Sequence, residues 1–174
     1  MNILFRANSS ATIGLGHVMR CLVLAQRLRQ YEYSDEVQIA FACELLEGNI
    51  NHKICEAGFD VYPLASNEVN EVLKLTELFI TDLLVIDSYV FSLEDEKKLL
   101  AKAFKTLIFD DEYQTHVVDM VVNHGIQAKE SDYQHLVSKT TKVFCGSRYT
   151  LLRDEFFSKM PIQAKKNHIA VILG

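Results

Sequence analysis

Residues 82–87 read Asp-Leu-Leu-Val-Ile-Asp, and the four adjacent apolar side chains decide the fold. A strand with one solvated face alternates apolar and polar residues, whereas an unbroken apolar run suits a strand of a parallel sheet covered by helices on both faces. Outward from this run, short apolar segments recur at 2–7 (NILFRA), 37–43 (VQIAFAC), 60–64 (DVYPL) and 106–110 (TLIFD). Three longer stretches carry helical spacing. Beyond Gly16, residues Val18, Cys21, Leu22, Ala25 and Leu28 form one apolar stripe, and Val69, Val72, Leu73, Phe79 and Ile80 form another within 68–80. The stretch 92–105 adds end signals: Ser92 as a cap, Glu94, Asp95 and Glu96 in the first turn, and Lys102 and Lys105 near the end, all complementing the helix dipole. Leu93, Leu99, Leu100, Ala103 and Phe104 supply its buried side. This alternation predicts an α/β fold, a Rossmann-like parallel sheet with helices on both faces.

The chain has 174 residues, 49% of them hydrophobic, which is the length of one domain with a sizeable core. Its formal net charge is -5 and no Lys/Arg cluster forms a basic stripe, so nucleic acid and anionic membranes are not expected partners. The few basic residues read as solvating. Cys21, Cys43, Cys55 and Cys145 include no C-x-x-C pair and read as reduced thiols of a cytoplasmic protein. The opening MNILFRANSS has too short an apolar run for a secretory signal, and no run of about 18 apolar residues exists to span a bilayer, so a soluble protein is expected. From about residue 112 to 160 the rhythm loosens into short pieces, VVDMVVN, AKESDY and VFCGSRY, followed by LLRDEFF as one or two helical turns. After the polar stretch 163–167, HIAVILG at 168–174 reads either as the opening strand of a second α/β unit or as a last strand of the same sheet. The first reading divides the chain into a Rossmann-like domain over 1–162 and, over 163–174, a linker with the first strand of a further domain.

Ligands of open parallel sheets bind beyond the carboxyl ends of the strands, where the strand order reverses. Three loops therefore matter: GLGH after the first strand, IDSY after the fourth and FDDE after the fifth. GLGH supplies Gly14 and Gly16, but Met19 breaks the G-x-G-x-x-G dinucleotide pattern and no G-K-[ST] follows. The two glycines let a ligand approach the backbone closely. His17 falls at a helix start, where the dipole disfavours imidazolium; a neutral ring there can serve as a general base, or it can simply cap or pack against the loop. Asp87 and Tyr89 emerge at the same edge, Tyr89 to contact a sugar or a reacting group and Asp87 to contact substrate; the alternatives are a turn cap and a packing ring. Asp110, Asp111 and Glu112 read as solvated or helix-capping carboxylates, since no His or Cys is spaced with them for a metal. His52, His116, His124, His135 and His168 show no ligand spacing, and no G-x-S-x-G occurs, so neither a metal, a cofactor nor a serine nucleophile is expected.

Taken in order along the chain, FRANSSATIGLGHVMRCLVLA, LLVIDSY, FDDE, AKESDY and CGSRYTLLRDEF resemble the UDP-sugar hydrolases of pseudaminic-acid biosynthesis, within the GT-B glycosyltransferase-like superfamily. The resemblance implies two Rossmann-like domains, the first presenting the catalytic loop and the second binding UDP. It implies metal-free hydrolysis of a UDP-linked diacetamido-trideoxy sugar at its anomeric carbon, releasing UDP and the free sugar. It also implies His17 as the catalytic base, Tyr89 as the tyrosine after the strand end, and Ser10 and Gly16 as parts of the substrate loop. A chain that stops at Gly174 is then expected to be an N-terminal domain, inactive alone, that needs a C-terminal UDP-binding domain in cis or in trans and exposes a face that favours a homodimer. A glycosyltransferase half and a non-catalytic sugar-binding module are the alternatives.

Overall fold

The computed structural model describes residues 1–30 and 37–157; the predicted strand HIAVILG and the 162/163 boundary lie outside the described residues. The elements run β1 (Asn2–Ala7), α1 (Gly16–Arg29), β2 (Gln38–Glu44), α2 (Asn51–Glu56), β3 (Asp60–Leu64), α3 (Val69–Leu78), β4 (Leu83–Asp87), α4 (Leu93–Leu100), β5 (Lys105–Phe109), β6 (Met120–Asn123) and β7 (Lys142–Cys145). All seven strands form one parallel sheet in the order β3-β2-β1-β4-β5-β6-β7. The order reverses between β1 and β4, which pair Phe5 with Val85 and Ala7 with Asp87.

The two-residue period of β1 divides its side chains between two cores. Ile3, Phe5 and Ala7 pack with Phe41, Cys43 and Val85 against Val18, Cys21, Leu22 and Ala25 of α1. Leu4 joins Ala40, Ala42, Leu84 and Ile86 on the opposite face, under Val72 and Leu75 of α3 and Leu99 of α4. The unbroken apolar run of β4 thus serves both cores.

Ser92 and Asp95 close a capping box at the start of α4, the Ser92 hydroxyl accepting from Asp95 N and the Asp95 carboxylate from Ser92 N, both at 3.2 Å. The helix stops at Leu100, earlier than its charges indicate, because Lys105 already pairs with Leu83 as the first residue of β5. Cys21, Cys43 and Cys145 are buried, whereas Cys55 on α2 is exposed.

Two basic residues depart from the solvating role expected of them. Arg20, described below, is one. Arg6, fully buried on the Leu4 face of β1, donates from Nη1 to Asn8 Oδ1 at 2.7 Å and to Ala42 O at 3.4 Å, and from Nη2 to Glu44 Oε1 at 3.2 Å and to Asn67 Oδ1. Burial pushes the Arg6 guanidinium below its usual range, against the pull of Glu44. This cluster ties together the chain just past β1, the end of β2 and the loop past β3.

A second buried charge cluster sits where β5 ends. His116 donates from Nδ1 to Glu96 Oε1 at 2.7 Å, and its Nε2 lies 3.5 Å from Asp110 Oδ2, an ion-pair contact without a hydrogen bond. Burial opposes the charge, but Asp110 and Glu96 outweigh it and raise His116 to about 9 from 6.5. Asp110, where burial is likewise outweighed by His116, Tyr133 and backbone donors, falls from 3.8 to about 2. A raised histidine contributes stability that is full below its unfolded value and lost as pH rises through its folded one. A lowered carboxyl contributes above its unfolded value and loses that contribution as pH falls. The pair therefore stabilises most between about pH 4 and 6.5, and thermal stability is expected to decline from there toward pH 9. Each kcal/mol lost lowers Tm by about 2–4 °C in a chain of this size. Calorimetric scans of the wild type and His116→Gln check this, since the variant loses the decline between 6.5 and 9.

Candidate active site

The carboxyl ends of β1, β4, β5 and β6 bring four loops together at the reversal in strand order, as the fold rule requires. The first loop is held by its own backbone. Gly14 N donates to Ser10 O at 3.0 Å, and Ser10 N donates to Gly14 O at 3.3 Å. The Ser10 hydroxyl accepts from Ile13 N at 2.9 Å and Thr12 N at 3.2 Å. Ser10, expected in the substrate loop, is buried, and its hydroxyl shapes the turn.

Gly14 closes that turn at φ +86°, a left-handed conformation that costs a residue with a Cβ about 1–2 kcal/mol. A Cβ added at Gly14 or Gly16 meets no atom within 4 Å, so the space over both is open. Gly14→Ala is expected to lower stability by about 1–2 kcal/mol from strain alone. Gly16→Ala, without the positive φ, should leave Tm unchanged; paired thermal melts test this.

Gly16 begins α1, whose first turn has neither a side-chain cap nor an acidic residue. His17 follows, one residue inside the helix. Its Nδ1 lies 2.6 Å from Asp87 Oδ1 at the end of β4, and Asp87 is 1% exposed. Burial pushes the Asp87 carboxyl up, but hydrogen bonds from Arg20 and His17 outweigh it and hold the group below its ordinary value. An ionised carboxylate only accepts, so Nδ1 carries the proton of this contact, and in the neutral ring the lone pair is then on Nε2. Asp87, expected as a substrate contact, lies beneath His17 with both oxygens engaged by His17 and Arg20.

Arg20 takes up the rest of Asp87, donating from Nε to Oδ2 and from Nη2 to Oδ1, both at 2.7 Å. Its Nη1 donates to Asp111 Oδ1 at 3.1 Å and Oδ2 at 2.8 Å, and its Cζ lies 4.8 Å from the centre of the Phe109 ring. Burial works against the Arg20 charge, but the bonds to the two aspartates more than offset it and raise the group above its usual range.

Tyr89 is about half exposed, its ring edge-on to His17 at 4.9 Å, and its hydroxyl donates to Asp111 Oδ2 at 3.4 Å. Partial burial and the Asp111 charge push its phenol upward, so it stays protonated. His17, Arg20, Tyr89, Asp111 and His124 line one open cavity of about 470 Å³, together with residues 150–153.

The FDDE segment is divided by the fold. Asp111 faces the cavity, while Asp110 is buried, accepting from Glu112 N and Gln114 N and from the Tyr133 hydroxyl at 2.7 Å. Asp110 is therefore neither solvated nor the cap of a helix, the two roles expected of it, but a buried carboxylate that holds the loop after β5. No group of His, Cys, Asp and Glu among the described residues is arranged to hold a metal ion.

With this geometry in place, the chain compares closely with a curated UDP-2,4-diacetamido-2,4,6-trideoxy-beta-L-altropyranose hydrolase of Campylobacter jejuni. The two are 41% identical over 168 residues, covering 96% of this chain and 56% of the hydrolase. Over nearly its whole length this chain is similar to that hydrolase. It is also 32% identical over 162 residues to an uncharacterized protein, MJ1062, of Methanocaldococcus jannaschii, covering 90% of this chain and 32% of that one. The chain therefore spans about half the hydrolase's length and a third of the archaeal protein's. No family model matches. Among solved structures, Acinetobacter baumannii MurG superimposes with a TM-score of 0.52 at 11% identity, over 82% of this chain and 44% of that one. That likeness shows the fold: a Rossmann-like parallel sheet with helices on both faces.

Of the residues the sequence singles out, His17, Tyr89 and Gly16 line the cavity, and Gly14 lies in the loop that leads to it. Sequence reasoning misses Arg20, Asp111 and His124 as members of the same site. The signal for Arg20 is its position three residues after His17, which puts both on one face of α1. No helix among the described residues is long and apolar enough to cross a membrane.

Proposed function

We propose that the chain supplies the catalytic-loop domain of a cytoplasmic UDP-sugar hydrolase, one that releases a diacetamido-trideoxy sugar from UDP for pseudaminic-acid biosynthesis by attack of water at the anomeric carbon. The observation that carries this reading is the His17–Asp87 contact at 2.6 Å in a cavity wall, joined to the 41% identity with a hydrolase of that substrate. With Nδ1 occupied, Nε2 is the nitrogen that takes the proton from water. UDP is a good leaving group, so orienting the water and stabilising the departing diphosphate supply most of what the reaction needs. The uncapped amino end of α1 offers its dipole to that anion. Tyr89 contacts the sugar, while Gly14 and Gly16 leave room for its close approach. UDP itself is held by a second domain, in cis or in trans, which docks over the edge where Ile13, Leu15, Tyr89 and Val90 are exposed; without it, two copies of the chain can pair through that edge.

A two-domain form tests the proposal: this chain joined to the part of the Campylobacter hydrolase that it does not span. Incubated with the UDP-linked sugar, it should yield UDP and free sugar in equal amounts. UDP release only when an acceptor is added would instead make the protein a glycosyltransferase half, and binding without turnover would make it a sugar-binding module.

A further inference from the structure

The guanidinium of Arg20 is placed unlike an ordinary surface cation. It uses Nε and Nη2 to grip both oxygens of Asp87 and Nη1 to reach both oxygens of Asp111, while its plane is seated near the Phe109 ring. Each aspartate in turn holds one residue of the cavity wall: Asp87 accepts from His17 Nδ1, and Asp111 accepts from the Tyr89 hydroxyl. One side chain, 13% exposed, thus stands behind two others on different elements.

We propose that Arg20 is a positioning residue: through Asp87 it fixes which ring nitrogen His17 turns toward substrate, and through Asp111 it seats Tyr89 across the same cavity. The physical reason is the fork. Asp87 Oδ1 is shared between His17 at 2.6 Å and Arg20 at 2.7 Å, and the second Arg20 bond to Oδ2 fixes the carboxylate plane. A carboxylate so held presents Oδ1 to the imidazole in one orientation; released, it can rotate, and the ring is free to adopt the Nε2–H tautomer that unconstrained imidazole side chains prefer. A lysine places one point charge where the fork makes four bonds, so it preserves the charge but not the orientation. The other groups facing this arrangement are His124, whose ring nitrogens lie 3.3 and 3.4 Å from Arg20 Nη1, and Cys21, whose thiol is 3.8 Å from Asp87 Oδ2.

This inference rests on the reading of His17 as the base, yet the two can fail separately, because a tautomer is measured without turnover. The experiment is long-range 1H–15N NMR of the His17 ring in the full chain at about pH 8.5, roughly two units above the reference imidazole value. Wild type, Arg20→Met and Arg20→Lys are compared, with thermal melts of each. The wild type should show nearly all of the Nδ1–H form. Arg20→Met should reduce that form to a minority and weaken the cross-relaxation between the His17 and Tyr89 rings; Arg20→Lys should give a mixture. A folded Arg20→Met with the wild-type tautomer overturns the proposal, however far its melting temperature falls, because Arg20 then serves the fold alone. Should Arg20→Met not fold, Arg20→Lys decides, and an undiminished Nδ1–H population in it overturns the proposal equally. Loss of hydrolysis in His17→Gln concerns the base alone and leaves this result standing.

Discussion

His17→Gln is expected to lower hydrolysis of the UDP-sugar by the two-domain form about 100- to 10,000-fold, the range for loss of a general base. The effect should fall on kcat, because the glutamine amide can still donate toward Asp87 while offering no basic nitrogen to water. UDP affinity should be unchanged, since UDP is held by the second domain and the dipole of α1 does not depend on the His17 ring. The melting temperature should change little: His17 is at the cavity wall, outside both apolar cores. Steady-state kinetics with calorimetric UDP titration separate these quantities. Turnover within a factor of a few of wild type would remove His17 from the role of base.

The second large effect concerns stability. Glu44→Ala leaves the Arg6 guanidinium fully buried without its carboxylate, and breaking a buried pair from one side costs about 3–5 kcal/mol. For a chain of this length that is a fall in Tm of roughly 6–20 °C. Asn8 and Asn67 still accept from Arg6, but neither carries charge. The double variant Arg6→Met/Glu44→Leu removes both ions together, and such replacements are often neutral. Its melting temperature should lie well above that of Glu44→Ala, and denaturant or thermal unfolding of the two variants measures the difference.

The sheet is legible wherever burial on both faces writes an unbroken apolar run, as in β4, and wherever a helix carries its own end signals, as α4 does with Ser92 and the acidic residues after it. It becomes illegible past Asp110. β6 and β7 are four residues each, MVVN and KVFC, too short for periodicity to register. The crossover between them contains no α-helix; a 3-10 turn at Glu130–Tyr133 takes its place and sends Tyr133 into the core. The six-residue α2 escapes notice for the same reason of length.

At the site, the strand-end rule brings His17, Asp87 and Tyr89 together from sequence alone, because the position of a loop follows from topology. Which partner each side chain takes does not. Asp87 becomes a support for His17 only once α1 packs on β4 and turns Arg20 toward it. The burial of Arg6 follows from its register opposite Ala42 in the centre of the sheet, which its charge does not announce. Ser10 likewise lies in the right loop, but its hydroxyl is turned inward to the backbone of that loop.

The central claim is that water, deprotonated at His17, attacks the anomeric carbon. Hydrolysis by the two-domain form in 18O-enriched water, with both products weighed by mass spectrometry, tests it most directly. The label should appear in the free sugar and be absent from UDP. Label in UDP would mean attack at phosphorus and would contradict the account, as would UDP binding without any release of sugar.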